Sequence, residues 1–497
     1  MLNKQIERPK ILVSPNSTYI PNGQCDCDGG DCACDLSPLA ELSSDTQLSL
    51  GMFKTEFVRV PNSQIMNLDD TYFICYGSHH KIAVLNQSAL YLLHLFTNPH
   101  NLHDIAIEHP QIDTTDLQTA IQELYQARLI VPKNNYSFNL NEIPETLTAW
   151  LHITDRCNLR CDYCYLPHLA QDMSIDIGKA AIESTFRSAT LNRYRSIKLK
   201  YAGGEALLCN TLIKDLHLYA QSLSQQTDII LDGVVLSNGT LITSEIIEML
   251  QTLNLRLMIS LDGLSKFHNI QRFYVSGKGS FQDVERGINI ALQNGLIPDI
   301  SITISGRNAE GLPSLLEWIL EYNLPFSLNF YRENELSASH EDLQLEEFKL
   351  IEGMLAAFKV VELKLPNRSL LGSLIDRANL SSPHKRTCGV GQSYLVFDYK
   401  GKIAKCQMQL DKTVSSINTQ DPLTVVRQDK AGIQNLSVEE KEGCRTCEWK
   451  YWCTGGCPLA TFKATGRYDI QSPSCNIYKA LYPEAVRLEG LRLVKYQ

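Results

Sequence analysis

Between Thr148 and Asn334, short apolar runs alternate with stretches whose apolar residues recur every three or four positions. The runs are TAWLHIT, SIKLKYA, DIILDGVVLS, LRLMISL, PDISITIS and PFSLNFY; the helical stretches begin near Ile175, Leu212, Ser244, Phe281 and Leu312. Alternation at this spacing predicts βαβ units and a parallel sheet. Six strands predict an α/β fold, a partial (β/α)6 barrel over residues 145–335, with its chemistry at the carboxyl ends of the strands. Ahead of it, over residues 53–134, FVRVPN and TYFICY alternate like short strands. KIAVLNQSALYLLHLF then carries helical spacing, and Leu117, Ile121, Leu124 and Tyr125 share one face of a further helix. Residues 1–52, rich in Asn, Ser, Asp, Gly and Pro, predict a flexible arm. Residues 336–386 read as a helical linker, and residues 387–497 as a loop-rich region held mainly by its cysteines.

Charge narrows the partners. The 497 residues include 46 basic and 55 acidic side chains, a net charge of -9. The front region, with small strands, three helices and a closing strand, is winged-helix-like, a shape that often reads DNA. Its helical part, however, offers only Lys81 and Arg128 as cations, and phosphate neutralisation comes before base readout. No nucleic acid is expected. No run of 18 or more apolar residues occurs, so no membrane span is expected. MLNKQIERPKILVSPNS lacks a secretory h-region, which points to the cytoplasm.

Sixteen cysteines change the picture. A reducing compartment disfavours disulfides, so dense cysteine there points to metal. Four lie at Cys25, Cys27, Cys32 and Cys34, three at Cys157, Cys161 and Cys164, and seven between Cys388 and Cys475. Cys75 and Cys209 stand apart in apolar or helical surroundings and read as buried, inert thiols. The four in CDCDGGDCAC fit a flexible thiol-bearing tail, with zinc or a further cluster as the other reading.

Directly after the first barrel strand runs ITDRCNLRCDYCYLP. Cys157, Cys161 and Cys164 can hold a [4Fe–4S] cluster by three corners, leaving one iron open; an open zinc site is the alternative. Cys-x3-Cys-x2-Cys with Tyr163 before the last cysteine resembles the signature of radical S-adenosylmethionine (radical SAM) enzymes. In that family the open iron chelates SAM, whose reductive cleavage yields a 5′-deoxyadenosyl radical that abstracts a hydrogen atom. The barrel would then be the family's TIM-like one. Four further matches fall on successive strand ends. YAGGEALL resembles the family's Gly-Gly-Glu motif: Gly203 and Gly204 allow close approach and Glu205 accepts from the SAM ammonium, although Ala206 stands where Pro is usual. LSNGTLI places Asn238 near the nucleoside. ISLDG places Ser260 against SAM and Asp262 in the turn. Arg272 matches an arginine that contacts SAM in the peptide-modifying branch.

Cys388, Cys406, then Cys444-x2-Cys447-x5-Cys453-x3-Cys457, and finally Cys475, resemble the SPASM extension, which holds two auxiliary [4Fe–4S] clusters. A pair of zinc sites is the alternative. The family's ligation implies Cys444, Cys447, Cys453 and Cys475 for the outer cluster, and Cys388, Cys406 and Cys457 for the inner one. Relatives that fully ligate the inner cluster often add a cysteine between the first two; none lies there in this chain, so an iron is expected to stay open, the alternative being a fourth ligand from elsewhere, with Cys209, a thiol of the Cys25–Cys34 arm or an Asp as candidates.

The front region resembles the leader-binding domain of maturases of ribosomally made peptides (RiPPs), where a strand edge captures an extended leader. Together these resemblances imply a peptide maturase that installs a crosslink or similar modification, using SAM, three [4Fe–4S] clusters and a reductant such as flavodoxin or ferredoxin. Two other functions fit the cysteine arrays less well. Ser or Cys oxidation of the sulfatase-maturase type is disfavoured, because those relatives place an Asp after the second SPASM cysteine and Gln407 stands here. A non-catalytic electron carrier or peptide scaffold is disfavoured by the full set of SAM-contacting residues.

Overall fold

A computed structural model describes residues 7–14, 54–134, 140 and 144–496. The Cys25–Cys34 segment lies outside the described residues. The front region contains strands β2 (Phe57–Arg59), β3 (Gln64–Asn67), β4 (Tyr72–Tyr76) and β5 (Ala83–Asn86). Helices α1 (Gln87–Leu95), α2 (Leu102–Glu108) and α3 (Thr114–Gln126) follow, and β6 (Ile130–Pro132) closes the region. The helical spacing read from Lys81 onward starts later than expected. Ala83–Asn86 are a strand, and Asn86 caps α1 by accepting from the Ala89 N–H at 2.9 Å. A second difference lies in the arm, where Ile11–Val13 form a strand, β1, rather than a flexible segment. The sheet runs β1-β5-β4-β3, all antiparallel.

The barrel follows as β7 (Thr146–Thr154), α4 (Ile175–Leu191), β8 (Ser196–Gly203), α5 (Asn210–Thr227), β9 (Ile230–Ser237), α6 (Ser244–Thr252) and β10 (Arg256–Ser260). After these come the short α7 (Ser265–Asn269), then α8 (Phe281–Gln293), β11 (Asp299–Ile304), α9 (Leu312–Glu321) and β12 (Phe326–Phe330). All six strands are parallel and in sequence order, as the apolar runs predict. β7 is buried on both faces. Leu147, Ala149, Leu151 and Ile153 join the main core, while Trp150 joins a separate apolar cluster. Ser174 and Thr243 cap α4 and α6 through the N–H groups of Ile177 and Ile246.

Helix α10 (Glu347–Leu363) leads to β13 (Tyr394–Phe397), β14 (Lys402–Ala404), β15 (Thr413–Ser416), α11 (Pro422–Gln428), α12 (Lys450–Cys453), α13 (Pro458–Thr465) and α14 (Cys475–Lys495). The loop-rich reading of this region is therefore incomplete. β13 pairs in parallel with β7, placing Val396 beside Trp150, so the barrel sheet continues into the cysteine-rich region. α14 packs against α10 on one side and the front sheet on the other. Tyr76 of β4 stacks on Trp449 with centroids 5.5 Å apart. No helix among the described residues is long and apolar enough to cross a membrane.

Candidate functional site

The notable residues converge at the carboxyl ends of the barrel strands. The loop after β7 carries Cys157, Cys161 and Cys164, and it is fastened to the neighbouring strand ends. Asn158 donates to the Thr240 hydroxyl (2.8 Å) and accepts from Asn238 Nδ2 (2.8 Å) beyond β9. The Arg160 and Asp162 N–H groups donate to the carbonyls of Phe273 and Gln271. Asp162 pairs with Arg307 after β11, and Asn334 after β12 donates to the Tyr163 carbonyl (3.0 Å). The three thiols sit in one electrostatic neighbourhood. Burial pushes Cys161 up to about 12, with Arg272 opposing and Cys164 and Cys157 reinforcing.

Gly203 and Gly204 end β8 against that loop. A Cβ on Gly203 would overlap the Thr154 carbonyl oxygen, and one on Gly204 the carbonyl of Arg156. Glu205, 1% exposed, organises the floor. Its Oε1 accepts from Leu207 N–H (3.0 Å) and Ser237 Oγ (2.8 Å), and its Oε2 accepts from Asn238 N–H (2.6 Å). Burial raises its pKa, and Oε2 retains acceptor capacity beyond that single bond. Asn238 Nδ2 also lies 3.8 Å from Cys157 Sγ. Asp262 accepts from the Thr303 N–H (2.8 Å), the Tyr163 hydroxyl (2.7 Å) and Gln271 Nε2 (2.9 Å). Arg272 hydrogen-bonds the Tyr163 hydroxyl, yet its buried Nε has no partner among the described residues. Ser260 ends β10, half-buried, beside this group.

The seven later cysteines gather in two places. Cys444, Cys447, Cys453 and Cys475 line one cleft of about 350 Å³ with Tyr478 and Tyr482. Cys388, Cys406 and Cys457 pack into one apolar cluster with Trp150 and Ala202 from the barrel strands. Burial pushes Cys406 up to about 12. Burial opposes the ionisation of Cys457 too, but the guanidinium groups of Arg332 and Arg377 hold it below the ordinary thiol value. Lys441, buried, donates to the Thr454 carbonyl (2.7 Å), and its charge faces Cys444, Cys453, Cys388 and Cys457.

Among the described residues, no three His, Cys, Asp or Glu converge tightly enough for a single metal ion. The cleft's four thiols and the two groups of three are donor sets of the kind that iron–sulfur clusters and zinc ions both take. No fourth cysteine of the described residues joins Cys388, Cys406 and Cys457. Cys209 lies instead beside Arg156, whose Nη2 is 3.7 Å from its Sγ. It is half-buried, whereas the sequence reading expected a buried, inert thiol; Cys75, fully buried and pushed up to about 12, fits that reading. Sequence reasoning passed over Asn158, Gln271, Arg307, Asn334, Arg332, Arg377 and Lys441. Only Asn158 lies inside a motif; the others are single polar residues in loops or at strand ends, without a spacing signal.

Residues 151–319 match the family model described as the Radical SAM superfamily. The chain is 24% identical over 351 residues to a serine-type anaerobic sulfatase-maturating enzyme of Bacteroides thetaiotaomicron, covering 62% of this chain and 81% of that protein. It is 25% identical over 171 residues to the antilisterial bacteriocin subtilosin biosynthesis protein AlbA of Bacillus subtilis, covering 34% of this chain and 35% of that one. In fold it is similar to the solved structure of native anSMEcpe with bound AdoMet and Cp18Cys peptide. That likeness has a TM-score of 0.58 at 19% identity and covers 70% of this chain and 99% of that one.

Proposed function

We propose that this chain, an enzyme whose residues 151–319 form a radical SAM domain, is a maturase that abstracts hydrogen from a ribosomally made peptide and installs a crosslink. The domain implies SAM and one [4Fe–4S] cluster, which together supply a 5′-deoxyadenosyl radical. Cys157, Cys161 and Cys164 would hold that cluster. Gly203, Gly204, Glu205, Asn238, Ser260, Asp262, Tyr163 and Arg272 would seat SAM, the unbonded Arg272 Nε and the spare acceptor capacity of Glu205 being open to it. Cys444, Cys447, Cys453 and Cys475 would hold an outer auxiliary cluster, and Cys388, Cys406 and Cys457 an inner one with an open iron.

One observation carries the reading: the inner cysteine trio shares its apolar cluster with Trp150 and Ala202 of the barrel strands. An auxiliary centre there adjoins the barrel side of the sheet. Trp150 Nε1 and His152 Nδ1, two positions apart on β7, are buried without partners among the described residues. They offer unbonded polar atoms to a peptide amide. His152 is oriented by Asp155 through its other ring nitrogen (2.6 Å).

The sulfatase-maturating relative supports a second reading, oxidation of a Ser or Cys to an aldehyde. Against it stands Gln407, buried next to Cys406 and accepting from the Tyr394 hydroxyl (3.1 Å). A carboxamide cannot serve as the base that such oxidation requires. Co-expression with a short peptide encoded beside the gene, followed by mass spectrometry, tests both. A product lighter by a pair of hydrogens and inert to hydrazide supports crosslinking. A hydrazide-reactive product supports oxidation, and an unmodified peptide rejects the maturase reading.

A further inference from the structure

The sheet of the front region ends in a strand drawn from far away in the sequence. β1 pairs antiparallel with β5 in the register Ile11↔Leu85, Leu12↔Val84 and Val13↔Ala83. The 39 residues 15–53 separate it from the rest of the front region. Its neighbours grip it mainly by its backbone. Asn86 Oδ1 accepts from Lys10 N–H (3.0 Å), Asn86 Nδ2 donates to the Arg8 carbonyl (2.9 Å), and Asn86 N–H donates to the Lys10 carbonyl (3.1 Å). The Ser14 N–H donates to the Ile82 carbonyl (2.8 Å). Side-chain contacts are few and specific. Arg8 pairs with Asp116 of α3 (2.9 Å), and Ser14 Oγ donates to the buried Glu489 of α14 (2.7 Å). Ile11 and Val13 pack on the front core, and Leu12 on the main core.

This is how a protein binds a foreign peptide by strand addition: main-chain bonds give affinity and alternate side chains give selectivity. We propose that the groove between β5 and α3 is a peptide-docking site that residues 8–14 fill in cis. An incoming extended peptide would enter by displacing them. The peptide that fits carries a basic residue opposite Asp116, apolar residues three and five positions later, and a small hydroxyl residue opposite Glu489. The inference rests on the maturase reading only for the source of that peptide. Being part of the same chain, the strand competes for the groove intramolecularly rather than from solution. The intact chain therefore resists weak peptides and yields to strong or abundant ones.

The test uses the full chain and a fluorescein-labelled peptide of sequence ERPKILVS. In Arg8→Glu/Ile11→Asp the tethered strand loses its charge pair and its apolar anchor. Fluorescence anisotropy should show the peptide binding at least tenfold more tightly to this variant than to the unaltered chain, and adding Asn86→Ala should remove most of that gain. Equal affinity for both chains overturns the proposal. So does absence of binding to a variant whose β5 amides exchange faster than in the unaltered chain, because the strand would then be structural. Hydrogen exchange on the unaltered chain covers the case of a variant that fails to fold. Saturating peptide should speed exchange at residues 11–13, and unchanged protection overturns displacement. None of these readouts depends on peptide modification, so failure of the maturase reading stays distinguishable.

Discussion

At the scale of single residues, the site depends on buried polar groups that have no substitutes. Glu205 takes three donors with one carboxylate, so Glu205→Gln turns an amide N–H₂ toward at least one of them. A buried donor without an acceptor costs about 1–3 kcal/mol. We expect SAM to bind about tenfold more weakly, read by equilibrium dialysis, with the cysteine clusters retained. Replacing Cys157, Cys161 and Cys164 together with Ala should abolish 5′-deoxyadenosine formation; continued SAM cleavage would place the cluster elsewhere. Histidines set a pH dependence. Burial pulls His80 and His217 down to about 4, and His217 is bonded to the Tyr201 hydroxyl at 3.1 Å. An unfolded histidine titrates near 6.5. Between about pH 6.5 and 4 the unfolded chain binds protons that the folded one refuses, so stability is full above that window and falls as the pH drops through it. Each should remove on the order of 2 kcal/mol between pH 7 and 5. Urea midpoints at the two pH values check this, and His217→Gln should flatten the difference.

At the scale of elements, the cysteine-rich region is bolted to the barrel rather than appended to it. β13 extends the sheet, and Arg187 of α4 reaches across to the β15–α11 connection. There its guanidinium donates to the carbonyls of Gln420 (2.7 Å), Thr419 (2.9 Å) and Ile417 (3.2 Å). Arg187→Ala leaves three carbonyls to find water, at a cost of about 1–3 kcal/mol. The melting midpoint should drop by a few degrees while 5′-deoxyadenosine formation at low temperature is unchanged. A loss of SAM cleavage at low temperature would show that the joint also positions the site. Helix α14 shows why this architecture was hard to read. It carries Pro483 and buries residues from Ile477 to Leu493 on several faces, because it lies between α10 and the front sheet. A helix covered on two sides has no single apolar stripe to betray it.

At the scale of the molecule, the three thiol groups predict a metal content. Three four-iron clusters would give about twelve irons per chain after anaerobic reconstitution. Cys157, Cys161 and Cys164 replaced by Ala should retain about eight. Four irons, or zinc in stoichiometric amount, would reject the auxiliary pair.

The sequence by itself determined the barrel strands, the helices between them and the grouping of the cysteines. Each of these is written in local order: apolar runs of strand length, a period near 3.6, and thiols a few residues apart along the chain. It also put Gly203, Gly204, Glu205, Asn238, Ser260 and Asp262 at strand ends, because a parallel sheet brings successive ends to one rim. Only the tertiary structure decided which distant segments meet. It set the inner trio beside Trp150, brought Arg332, Arg377 and Lys441 to the thiols, and drew Ile11–Val13 from the arm into the front sheet. Those contacts join residues tens to hundreds of positions apart through single side chains or one short strand. Such a contact leaves no periodicity or spacing in the chain, since its partner is fixed by how the elements pack.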